Sequence, residues 1–206
     1  MSDIEKEQKE AEEKQRIREQ VVLLRPRAQL GSKLVFEIAE RGADELLSNK
    51  RTAAKVNNDT ALIVWLELVA FALYLFDRVA ATRLNDSHPI YMKLLTDFVI
   101  SGFPSEVAKF GKQNLRSEEG WADDINSSIS TRSMQYFSLE QEITGAKGSL
   151  GRALPRALFS EFADILAQEI GLPGDKNVKE LLGLRTRTAM ADILKEFSPA
   201  AEEPTM

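Results

Sequence analysis

From Ala61 to Phe76 the chain reads ALIVWLELVAFALYLF, in which Glu67 is the only charged residue. No other stretch constrains the fold as strongly. A run this long, rich in Leu and Ala and free of Gly and Pro, is helical by intrinsic preference, and the polar residues on either side extend the helix from Thr60 to about Asn85. The apolar part would span about 24 Å at roughly 1.5 Å per residue, short of a hydrocarbon core about 30 Å thick. Glu67 near its middle would cost about 2.5–3.5 kcal/mol on insertion into a bilayer. The expectation is a buried core helix rather than a membrane span. A helix this apolar around its circumference must be wrapped on several sides by other helices, or covered in an oligomer interface. Leu66, Val69, Leu73 and Phe76 are expected to be buried.

The exceptions on this helix fall together. At about 100° per residue, with Glu67 at zero, Arg78 lies near +20°, Tyr74 near −20° and Asp77 near −80°. These four residues are the candidate ligand-binding positions. Glu67 and Arg78 are separated by about 16 Å along the axis, so each needs a partner on another helix. The arc is expected either to face water or to make ion pairs between helices, and Glu67→Gln is expected to be nearly neutral.

Flanking segments carry the same 3.6-residue period. Residues 1–20 are nearly all Glu, Lys, Gln and Arg, interrupted by Ile4, Ala11 and Ile17. Opposite charges four apart support a helix, but the lack of an apolar stripe predicts one that frays, docks weakly and firms up only near Val21. Pro26 is expected to end it, and Ser32 to cap a second helix carrying Val35, Ile38, Ala39 and Leu46. A polar connection over 48–59 ends in the capping cluster Asn57-Asn58-Asp59. Beyond Pro89, a helix bearing Tyr91, Leu94, Leu95, Phe98 and Val99 should stop at Gly102. Pro104 should open a short one ending near Gly111. A further helix is predicted over 117–144, with Ile125, Ile129, Tyr136 and Ile143 on one face. Gly145, Gly148 and Gly151 mark a connection, Pro155 opens a helix to Ile170, and Gly171 stops it. Asp175 caps a last helix towards Phe197, with Gly183 as a point where it could break, and 199–206 reads as a disordered tail. No segment alternates as a strand does. The chain is predicted to be all-α: a bundle of roughly six to eight helices around 60–85, with 21–198 forming a single domain.

Composition removes several chemistries. With no cysteine and one histidine, thiolate sites and the paired Glu-x-x-His motifs of di-iron bundles cannot be built, and zinc sites, which prefer several Cys or His ligands, are disfavoured, whereas hard cations held by oxygen ligands alone are not excluded. His88, next to Pro89, is expected to be a solvated loop residue. No Gly-x-Ser-x-Gly elbow occurs, so no catalytic residue, cofactor or transition metal is predicted. The segment from Gly145 to Gly151 lacks the order of a phosphate loop. Arg152 and Arg156 beyond it offer only a weak anion site. A net charge of −5 disfavours nucleic acid, and the first twenty residues lack the apolar region of a signal peptide, so a cytoplasmic location is expected. The reading is a non-enzymatic interaction or scaffolding module that self-associates or binds another protein. The alternative is a small-molecule-binding bundle or enzyme that uses the polar arc.

Overall fold

A computed structural model describes residues 3–111, 120–144 and 156–198. The glycine-rich connection with Arg152 and Pro155, the predicted helix start at Ser117 and the tail 199–206 lie outside these residues. Among the described residues there are six α-helices and no strand: α1 (Asp3–Ser48), α2 (Asn58–Arg83), α3 (His88–Val107), α4 (Trp121–Thr144), α5 (Arg156–Glu169) and α6 (Lys176–Glu196). The all-helical bundle expected from the sequence is what forms.

The central helix is α2. Asn57 rather than Asp59 caps it, its side chain accepting from the Thr60 amide and hydroxyl at 2.9 Å each. From Val64 to Ala80 only Leu66 and Asp77 escape burial. Helices α1 and α3 pack on it most extensively, and α4, α5 and α6 cover the rest. It is long and apolar enough to cross a membrane, yet 72% of its most apolar stretch is buried inside the bundle. The aromatic residues fill the interior in separate groups. Trp65 lies against Phe36, Phe103 and Phe110. Phe71 stacks on Phe162 at 3.9 Å and meets Tyr136 edge-on at 5.3 Å. Val69, Leu73 and Phe76 are buried as expected, but Leu66 is 38% exposed, and Ile63 one turn before it is 39% exposed. The wrapping of α2 is therefore incomplete on that side.

The helix breaks expected at Pro26, Ser32, Gly102 and Pro104 do not occur, and the break allowed for at Gly183 is not taken. Pro26 lies inside α1. The carbonyl that loses its amide partner belongs to Val22, a residue 75% exposed, so water can take the missing bond and the helix continues. Ser32 is inside the same helix and its hydroxyl donates back to the Gln29 carbonyl at 2.9 Å. Gly102 serves close packing instead of termination. A Cβ there would lie 2.8 Å from the Phe36 ring, so glycine lets α3 press against α1. Pro104 is carried within α3, which ends in a short 3₁₀ turn at Ala108–Phe110 and a left-handed Gly111 with φ 81°. Gly183 is buried within an uninterrupted α6, where a Cβ would stand 3.9 Å from the Phe159 carbonyl of α5.

Helix α1 has two environments. From Leu24 onwards it is a core element, with Leu24, Ala28, Val35, Ile38, Ala39, Ala43 and Leu46 buried. It is tied to α6 by Glu45 with Arg185 and by Arg27, which donates to the Glu196 carbonyl at 2.9 Å and lies over the Phe197 ring. From Glu5 to Glu19 every residue is exposed, although the segment is helical. Val22 and Leu23 are 75% and 77% exposed, and Leu30 is 55% exposed.

Candidate functional site

Glu67, Tyr74 and Arg78 of the polar arc face α4, and of the two expected alternatives, water or ion pairs between helices, these residues take the second. Along α4 the residues Arg132, Tyr136 and Glu140 recur every four positions, which places them on one face. Glu67 is 8% exposed. Its carboxylate accepts from the Tyr136 hydroxyl at 2.7 Å and pairs with Arg132 at 2.8 Å. Arg132 is itself 3.6 Å from Glu169 of α5. Further along, Glu140 accepts from the Tyr74 hydroxyl and from Arg78, both at 2.7 Å. The Arg78 guanidinium lies 5.1 Å from the Phe137 ring centre.

These are two separate stations on α2, not one cluster. In the first, burial pushes the Glu67 carboxyl above its ordinary value, against the lowering effects of Tyr136 and Arg132. Burial, then the Glu67 charge, lifts the Tyr136 phenol far above its usual range. In the second, burial and the bond to Glu140 do the same to Tyr74. Neither phenol is a source of protons near neutral pH. Arg78 is 5% exposed, and its Nε and Nη1 are buried without a hydrogen-bond partner. A buried guanidinium with donors to spare is costly unless something completes its shell.

Asp77, at the edge of the arc, bonds neither station. Its Oδ1 lies 2.7 Å from Nε2 of His88. The histidine expected in a solvated loop is instead the first residue of α3, with a side chain 25% exposed. Beside this pair a half-open cleft of about 320 Å³ runs between α2, α3 and α4, its walls including Tyr74, Asp77, Met92, Ser130, Met134 and Phe137. Of the four sequence candidates, Tyr74 and Asp77 line this cleft, whereas Glu67 and Arg78 are not part of its wall.

No histidine or carboxylate group of three or more is placed to hold a metal ion among the described residues. Arg156 lines a second groove of about 260 Å³ with Lys179 and Arg187. Lys179 is already paired with Asp164 there, so the groove presents mixed charge rather than an anion cradle. The residues that sequence reasoning missed are Arg132, Tyr136 in its polar role, Glu140 and His88. The i, i+4, i+8 spacing of the first three is the signal that could have found them. Comparison of the chain with protein-family models, with curated proteins and with solved structures finds no match in any of the three.

Proposed function

We propose that the protein is a non-enzymatic helical interaction module that self-associates, and that the first half of α1 is its docking element. One observation carries the reading: a single helix is core over its second half and fully exposed from Glu5 to Glu19. Holding those solvent-exposed residues helical has a conformational cost, and a partner along the arm would offset it. The internal chemistry supports the same reading, since three of the four side chains of the polar arc, Glu67, Tyr74 and Arg78, are engaged by α4. Sedimentation equilibrium of the full chain tests it, with an expected mass above one protomer at micromolar concentration that reverts to one protomer when residues 3–20 are deleted. A monomer at all concentrations would remove self-association.

A second reading, a small-molecule-binding bundle, rests on the partnerless Nε and Nη1 of Arg78 near the cleft wall at Phe137. A thermal-shift screen of small amphipathic compounds tests it. Stabilisation that disappears in Asp77→Asn would favour it, and no stabilised condition would count against it.

A further inference from the structure

We infer that the cleft between α2, α3 and α4 binds a small organic cation, its ammonium group held by Asp77 and its compact apolar body laid along the cleft. The inference rests on the second reading above, the small-molecule-binding bundle, and gives its ligand a chemical class.

The cleft is sorted by polarity along its length. Asp77 bonds His88. Met92 and Thr96 follow that histidine at four-residue intervals on one face of α3, so Thr96 lies about 12 Å beyond it at roughly 1.5 Å per residue. The carboxylate therefore stands toward one end and Thr96 toward the other. Much of the remaining wall is apolar, with Leu73, Met92, Met134 and Phe137. The volume of about 320 Å³ is at the small end of ligand pockets, which run from roughly 300 to 1,000 Å³. It suits a single ring or a short chain.

Charge decides what that ring or chain carries. Asp77 is the only residue of the lining with a formal charge, and no lysine or arginine belongs to it. His88 holds the Oδ1 of Asp77 at 2.7 Å. Oδ2 has no hydrogen bond or ion pair among the described residues, and the side chain is 37% exposed, so an incoming donor can reach it. Arg78, the cation nearest in sequence, is engaged elsewhere: it pairs with Glu140 at 2.7 Å and is not part of the wall. The Tyr74 hydroxyl is likewise held by Glu140. An anionic ligand would meet only a like charge here, whereas an ammonium gains a charge-assisted hydrogen bond at Oδ2. The aromatic ring of Phe137 and the thioethers of Met92 and Met134 offer an apolar body adaptable contact. Arg78 already stands 5.1 Å from the Phe137 ring centre, so the ammonium belongs at the Asp77 carboxylate and the apolar body against Phe137.

Three probes of one shape separate the ligand classes: phenethylamine, phenethyl alcohol and hydrocinnamate. Met92 and Met134 line the cleft, whereas Met190 of α6 does not, so methionine ε-methyl NMR of the full-length protein locates the binding. Phenethylamine should shift Met92 and Met134 and leave Met190 in place. Its dissociation constant should be about tenfold or more below those of the alcohol and the carboxylate. Asp77→Asn should weaken the amine to the level of the alcohol. Met134→Lys changes a residue 65% exposed, so it sets a cation on the wall without disturbing the core. It should weaken the amine and strengthen hydrocinnamate. Alcohol or carboxylate binding at Met92 and Met134 as tightly as the amine would overturn the cationic class while leaving the small-molecule reading standing. Amine binding unchanged in both variants would overturn the role of Asp77. A titration in which none of the three probes moves either methyl would remove the cleft as a binding site, and the small-molecule reading with it.

Discussion

At the scale of residues, the two stations between α2 and α4 differ in how much each depends on its partner. Glu140 holds Arg78 and Tyr74 together, and Arg78 has no hydrogen-bond acceptor on its Nε or Nη1. Glu140→Ala therefore strands a buried guanidinium and should cost about 3–5 kcal/mol in denaturant unfolding. The double variant Arg78→Met with Glu140→Leu should cost less than Glu140→Ala alone, since no buried charge is left behind. Double-variant losses that simply add would mean that the pair is not coupled. Glu67 behaves otherwise, because Arg132 keeps a second carboxylate within 3.6 Å. With its carboxyl raised by burial, the folded chain binds more protons than the unfolded one just above the ordinary carboxylate value. Stability then falls as pH rises through that window. Glu67→Gln removes this term, so the variant should match the parent at low pH and gain on it towards neutrality. A variant that loses ground as pH rises would show that the Arg132 pairing outweighs burial. The arc itself is legible from helical phase alone. What it faces is not, because the apolar ring of Tyr136 groups it with the isoleucines of α4, while its hydroxyl is what Glu67 uses.

At the scale of elements, the sequence identifies which segments are helical better than where helices stop. Asp175 caps α6 through the amides of Asn177 and Val178, as its position before an apolar run implies. The failures share a cause. Gly and Pro report a local weakness of the helix, and a local weakness breaks it only when packing or solvent does not compensate. Pro26 is compensated by water at an exposed face, Gly102 by the approach of Phe36, and Gly183 by burial of α6 on α5. Gly102→Ala is the discriminating substitution. On an isolated helix alanine would help by roughly 1 kcal/mol. Here its Cβ would meet the Phe36 ring at 2.8 Å, so a net loss of about 1–3 kcal/mol is expected from overpacking. A stabilised Gly102→Ala protein would mean that α3 and α1 can separate at little cost.

At the scale of the whole molecule, the core and the arm should respond independently. Leu73 is 2% exposed at the centre of α2, and Leu73→Ala should cost about 2–5 kcal/mol. Deleting residues 3–20 should move the melting temperature of the monomer by only a few degrees, because the arm is exposed along its length and buries almost nothing in the body. Both parts nevertheless belong to one rod, about 69 Å long at roughly 1.5 Å per residue over the 46 residues of α1. Such continuity has a consequence in time rather than in energy. Amide hydrogens beyond about Gly31 can exchange only when the bundle itself opens, whereas those before Leu24 can exchange by fraying of a bare helix, orders of magnitude sooner. Pro26, which has no amide hydrogen, falls at the border between the two regimes. A clasp on the arm would therefore be visible as slowed exchange over residues 5–21 with the remainder of α1 unchanged.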